Sequence, residues 1–205
     1  MSPSPKRVLL LIPRGAEVLE TAAFFDVIGW ANTYGSVPIE VTTVGLEREV
    51  RCTFGLRVLP DRQLNEVEPA EFDALALPGG FEEHGFYEHA FSDEVSALIR
   101  GFEERARPIC SICVGALPIA KSGVLDGRRA TTYHLAGGRR DQLADMGVDV
   151  VDAAIVRDGN IVTSTSPATA VDVALELLEA LTTAENAAEI RRLMGFSPKA
   201  ENRNA

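Results

Sequence analysis

Cysteine is scarce in this sequence of 205 residues, with only Cys52, Cys110 and Cys113 present. An odd, sparse set does not build a disulfide framework and suits a reducing compartment, so a cytoplasmic location is expected. Long apolar runs are also missing. The longest, such as residues 8–12, are strand-sized, and the opening Met-Ser-Pro-Ser-Pro-Lys-Arg lacks the apolar stretch of a signal peptide. No membrane partner is expected. Basic residues are outnumbered, 20 Lys and Arg against 30 Asp and Glu, for a formal charge of −10. Binding a polyanion needs clustered cations to release counterions, so no nucleic-acid partner is expected either. No second cysteine pair or paired histidines complete four zinc ligands. The expectation is no metal and no cofactor.

What is present is a hydrophobic content of 46%, enough to bury a full core in one domain, taken as residues 6–196 with flexible termini at 1–5 and 197–205. Apolar β-rich runs alternate with helix-period segments along the chain. That alternation predicts an α/β fold with a doubly wound, mostly parallel sheet and helices on both faces. Residues 7–13 read as a first buried strand and 19–34 as a helix with Phe24, Val27, Ile28 and Ala31 on one face. Strands follow at 39–44 and 73–77, with a hairpin or extended pair over 49–59. The 73–77 strand runs into Pro78-Gly79-Gly80, where glycines allow close backbone approach. Ser92 and Asp93 can cap a helix to about residue 106. A strand over 108–113 then leads into a helix over 114–121. Beyond lie a strand at 130–134, a helix at 139–146, and strands at 149–156 and 160–164 turned by Asp158-Gly159. Ser166-Pro167 opens a helix with Val171, Ala174, Leu178 and Leu181 on its apolar face. Residues 200–205 are polar and read as frayed.

Cys113 falls where an apolar strand ends and small residues open a helix. Backbone N–H groups at a helix start favour an anion, so its thiol is expected to be acidified by about two to three units and to react as the thiolate. Cys110 forms a C-x-x-C with it, but on one extended strand the two Cα atoms would lie about 10 Å apart. A disulfide needs less than about 7 Å, so Cys110 reads as a core residue.

Several stretches in order resemble the ThiJ/PfpI superfamily, the family of the parkinsonism-associated protein deglycase, with a fold similar to class I glutamine amidotransferase domains. They are Gly15-Ala16-Glu17-x-x-Glu20-Thr21, Leu77-Pro78-Gly79-Gly80, Ile112-Cys113-x-Gly115, Ala130-Thr131-Thr132 and Thr163-Ser164-x-x-Pro167. The likeness covers roughly residues 6–181, and collinear motifs are more specific than any one alone. It implies that Cys113 is the elbow cysteine and that Glu20 supplies a protonated carboxyl hydrogen-bonded to its sulfur. A carboxyl beside an anionic sulfur is disfavoured as a carboxylate, which agrees. Glu17 reads as a residue that only complements the helix dipole. The resemblance also places oxyanion-binding backbone donors at Gly80 and Val114. Gly79 reads as serving turn geometry.

His134 is a further catalytic candidate, although deglycase-like relatives have histidine one place earlier, where Tyr133 stands. Protease-like relatives carry histidine directly after the cysteine; Val114 there cannot act as a base, which counts against peptidase activity. Phe81, His84, Gly79 and Tyr133 are candidate pocket residues. The segment 80–89, with His84 and His89, reads as a polar, aromatic substrate-gating loop rather than a metal site, because histidines five apart do not share a helical face.

The resemblance implies a cysteine-dependent enzyme of glyoxalase or deglycase type acting on small electrophilic carbonyls, a small-molecule substrate and a homodimer. Alternatives at the same residue are redox sensing through Cys113 oxidation, or hydratase or amide-type hydrolysis.

Overall fold

The computed structural model describes residues 4–197, so residues 1–3 and 198–205 of the expected flexible termini lie outside the described residues. In chain order the elements are β1 (Lys6–Ile12), α1 (Val18–Tyr34), β2 (Ile39–Gly45), β3 (Val50–Arg51), β4 (Arg57–Val58), β5 (Arg62–Gln63) and β6 (Ala74–Leu77). Then come α2 (Phe86–Ala90), α3 (Asp93–Glu103), β7 (Ile109–Ser111), α4 (Ala116–Lys121), β8 (Arg129–Ala130) and α5 (Arg139–Asp145). The chain continues with β9 (Asp149–Val150), β10 (Ile155–Asp158), β11 (Ile161–Ser164), α6 (Ala170–Leu181) and α7 (Ala184–Leu193).

The main sheet has the strand order β10-β11-β7-β6-β1-β2-β5, and every pairing in it is parallel except the β10–β11 hairpin. β1 explains the layering. Its side chains alternate across the sheet with period two. Val8, Leu10 and Ile12 pack with α1, α6 and α7, while Leu9 and Leu11 pack with α2, α3 and α4. Both faces of the sheet are therefore covered, as the doubly wound reading requires.

Several elements match their sequence reading closely. The expected face of α1 is buried at Phe24, Val27, Ile28 and Ala31. Ser92 caps α3, its side chain accepting from the Val95 N–H. β3 and β4 form the hairpin expected over 49–59, with a 3₁₀ turn at Thr53–Gly55. Gly159 turns β10 into β11 at φ +58°, a conformation that favours glycine.

Others differ. The strand expected at 108–113 ends at Ser111, and Cys113 opens a 3₁₀ turn, Cys113–Gly115, ahead of α4. The strand expected at 149–156 is two: β9 pairs with β8 in a separate small sheet, and β10 joins the main one. The strand expected at 130–134 reaches only Ala130, because the chain leaves the ladder where Thr131 N–H donates to the Thr163 side chain. Helix α7, not foreseen, closes one face by burying Asn186, Ala187 and Ile190. No helix among the described residues is long and apolar enough to cross a membrane.

Candidate functional site

The carboxyl ends of β1, β6 and β7 lie side by side, and the loops leaving them converge. After β1, residues 13–17 form a turn from which Glu17 caps α1, its side chain accepting from the Leu19 N–H at 3.5 Å. That bland capping role is the one expected for it. After β6, the glycine loop meets this turn: Glu17 N–H donates to Gly79 O at 2.9 Å, and Phe81 N–H to Gly15 O at 3.0 Å. After β7, Ile112 N–H still pairs with Leu77 O at 3.1 Å before the chain swings into Cys113.

Cys113 adopts φ +56°, a left-handed conformation that few non-glycine residues take up. Such strain persists only where the surroundings hold it, and it commonly marks a functional residue. Here Thr132 holds it from beyond β8, donating its hydroxyl to the Cys113 carbonyl at 3.0 Å. Thr132 was not singled out in the sequence beyond its place in a motif; a threonine there shows no sign of which carbonyl it will reach.

Glu20, on the first turn of α1, is completely buried. Gly79 N–H donates to its Oε2 at 2.6 Å, whereas Oε1 is buried without a hydrogen-bond partner among the described residues. Burial raises the Glu20 pKa to about 8, with the Glu17 charge adding to the rise and the Gly79 N–H and the Cys113 thiol opposing it. Glu20 is thus a carboxylic acid at neutral pH, able to donate a proton. Gly79 is fixed by space rather than by turn geometry. A Cβ on it would lie 2.9 Å from Val114 N, 3.0 Å from the Cys113 Cβ and 3.0 Å from Glu20 Oε2, so only glycine lets the three groups meet. A Cβ on Gly80 would run into the Phe86 ring and the Gly15 carbonyl oxygen, so that position too is closed to a side chain.

The acidity expected of Cys113 is not what its surroundings favour. Burial is the largest influence and pushes the thiol up, Glu20 adds to this once it has ionised, and the Val114 N–H pulls the other way without prevailing. The sequence argument weighed only the helix start; desolvation comes from distant segments packed over the sulfur. Cys113 is nevertheless the most accessible thiol of the three, being partly exposed where Cys52 and Cys110 are buried. Burial pushes Cys52 up to about 11 and raises Cys110 as well. Alkylation at pH 8 followed by peptide mapping is therefore expected to modify Cys113 first, through access rather than acidity. Faster labelling of Cys52 or Cys110 would contradict this.

The remaining candidates divide. Tyr133 is partly buried and packs in the same apolar cluster as Cys113 and Val114. His134 is exposed. Phe81 and His84 form an exposed aromatic group with Phe54, ring centroids 5.8 to 6.1 Å apart. His89 points elsewhere, its Nδ1 accepting from the Arg14 N–H at 3.2 Å. The two histidines of the 80–89 segment thus serve separate contacts.

Known proteins share this arrangement of chain. Drosophila melanogaster protein dj-1beta is 33% identical over 189 residues, covering 91% of this chain and 95% of its own. The Parkinson disease protein 7 homolog of Danio rerio is 30% identical with the same coverage. A deglycase of Pyrococcus horikoshii is 37% identical over 130 residues, 63% of this chain and 75% of its own. The crystal structure of Drosophila melanogaster DJ-1beta superposes with a TM-score of 0.83 over 94% of this chain and 99% of that one, at 31% identity. The profile of the DJ-1/PfpI family matches residues 6–180, and with these relatives it establishes that the chain belongs to that family.

Proposed function

We propose that the protein is a cysteine-dependent enzyme of deglycase or glyoxalase type, in which Cys113 attacks a small α-oxoaldehyde and Glu20 moves the protons. The observation that carries this reading is the buried contact between a protonated Glu20 carboxyl and a cysteine held at positive φ. Relatives named deglycases support an enzymatic reading, and the α-oxoaldehyde is the substrate class that the family resemblance implies.

The chemistry balances without an oxidant. As the sulfur–carbon bond forms, the carbonyl π pair moves to oxygen, and Glu20 relays the thiol proton to it. The proton on the sulfur-bearing carbon then passes to the neighbouring carbonyl carbon, while the hydroxyl proton passes to that carbonyl's oxygen, which converts the hemithioacetal into a thioester. Water then cleaves the thioester, returning the thiol and releasing a hydroxy acid. Val114 N–H, already directed at the sulfur, supports its assignment to the developing oxyanion, and the family resemblance adds Gly80 N–H as its partner donor. Incubation with methylglyoxal, without added thiol, tests the proposal. Lactate formed over many turnovers supports it; one equivalent consumed into a stable adduct overturns it.

We also propose a homodimer. Phe54 and Leu59 in and beside the β3–β4 hairpin are 76% and 73% exposed, and Leu19 and Phe25 of α1 are exposed as well. Between them lies a cavity of about 330 Å³ lined by Val18, Ala22, Phe25, Leu56, Val58 and Leu59. Contiguous apolar surface of this kind is what a second copy would cover. Light scattering at micromolar concentration is expected to give twice the mass of one chain, 22.1 kDa, and a monomer would refute it.

A further inference from the structure

The 80–92 segment contributes one group that the proposed chemistry leaves unused. Tyr87 lies on α2, its ring wedged against Phe86 at 5.3 Å and Phe91 at 4.7 Å between centroids. The Arg139 guanidinium, from the first turn of α5, lies 5.1 Å from the ring centroid on the other side of the segment. Arg139 is itself held, donating to Glu82 at 2.7 Å and to Gln142 at 3.0 Å. Tyr87 therefore has little rotational freedom.

Its hydroxyl is buried and has no hydrogen-bond partner among the described residues. The ring packs into the same cluster as Cys113, Val114 and Tyr133. Phe86, next to Tyr87 on α2, packs against Gly80, and Gly79 beside it abuts the Cys113 Cβ, so this helix and the cysteine flank the same glycine pair. Burial first, and then Cys113 with Glu82 and Glu83, raise the tyrosine pKa to about 12 despite the opposing Arg139 cation. The group stays an O–H donor across the neutral range. A phenylalanine would fill the same volume without burying an unsatisfied hydroxyl, so the oxygen is a cost to the fold that no partner among the described residues offsets.

We propose that the Tyr87 hydroxyl is a substrate-binding group, donating a hydrogen bond to the oxygen of a carbonyl compound added to Cys113. The inference rests on Cys113 being the reacting residue, as in the function proposed above, but not on turnover. In the resting protein the hydroxyl waits unpaired. When the thiol adds to an aldehyde, the carbonyl oxygen becomes a strong acceptor beside the sulfur, and the tyrosine supplies a donor while keeping its own proton. Arg139, stacked on the ring, keeps the hydroxyl aimed.

The test is Tyr87→Phe, read three ways. Thermal stability is expected to be equal to or above wild type, because only an unpartnered hydroxyl is lost. The rate of Cys113 alkylation by iodoacetamide without any carbonyl compound is expected to be unchanged. The methylglyoxal concentration that protects Cys113 from alkylation is expected to rise about tenfold, the loss of one useful hydrogen bond. Protection at the wild-type concentration would overturn the proposal, as would a fall in stability together with altered alkylation, which would mark Tyr87 as structural. Failure of methylglyoxal to protect wild-type Cys113 would also overturn it. If protection depends on Tyr87 but wild-type protein makes no lactate, the enzymatic reading falls and this one stands.

Discussion

Glu20→Gln is expected to leave a folded protein with an alkylatable Cys113 and to lose about 100-fold or more of its methylglyoxal turnover. Glutamine can keep the hydrogen bond from Gly79, since its amide oxygen accepts as Oε2 does now at 2.6 Å. It cannot give up a proton to the adduct oxygen and take one back. Cys113→Ser is expected to abolish turnover, because a hydroxyl in this buried setting is far harder to deprotonate than a thiol. His134→Ala should stay close to wild type, its side chain being exposed. Wild-type turnover should also decline as pH rises through about 8, where the Glu20 carboxyl loses the proton it donates, and the glutamine variant should lack that limb. Lactate measured across pH for the four proteins decides the matter. Near-normal turnover in Glu20→Gln would remove the carboxyl from the mechanism.

The same carboxyl leaves a mark on stability that needs no substrate. Its folded pKa of about 8 lies above the ordinary value of 4.5, so the folded state holds one more proton than the unfolded state between these limits. Stability contributed by this group is fully present below about pH 4.5 and is lost as pH rises towards 8. Relative to Glu20→Gln, wild-type protein is expected to lose roughly 3 to 4 kcal/mol of unfolding free energy between pH 5 and pH 8, at about 1.36 kcal/mol per pH unit. Urea unfolding of both proteins at four or five pH values measures the difference directly. Parallel curves would mean that Glu20 ionises normally despite its burial.

These outcomes turn on features that the sequence disclosed unevenly. Strand β1, the inner face of α1 and the cap at Ser92 were readable because each depends on a local period or a local hydrogen bond. The order of strands and glycines around Cys113 was readable for the same reason, and family likeness pointed to Glu20. Helix α7 leaves little trace in the sequence because its buried side is only Asn186, Ala187 and Ile190, too small and polar to show an apolar stripe. α2 is a single short helix in a segment that read as loop. Tyr87 was passed over for that reason, since nothing local shows that a five-residue helix will aim its hydroxyl inward. The thiol of Cys113 differs from its sequence expectation on similar grounds: a helix start is visible in sequence, whereas burial of the sulfur, the larger influence, is not. His134 looked favourable by position, yet the chain has already left the β8 ladder before reaching it, and its ring emerges into solvent.

The short turn between β1 and α1 ties these distant pieces together. Gly15 donates to Arg51 O and accepts from Phe81 N–H; Ala16 accepts from Thr53 N–H; Glu17 donates to Gly79 O; and Val18 donates to the Thr53 side chain. A hairpin and a glycine loop that never follow one another in the chain thus hang from one five-residue hook. Opening that hook would release both at once, so the site should come apart and reassemble as a single cooperative unit rather than by separate loop movements. A nascent chain, too, would lack any such centre until Cys113 had been synthesised and threaded beside the hook. The meeting of Glu20, Gly79 and Cys113 would then be acquired late, while the bare thiol is most freely ionised before the sheet closes over it.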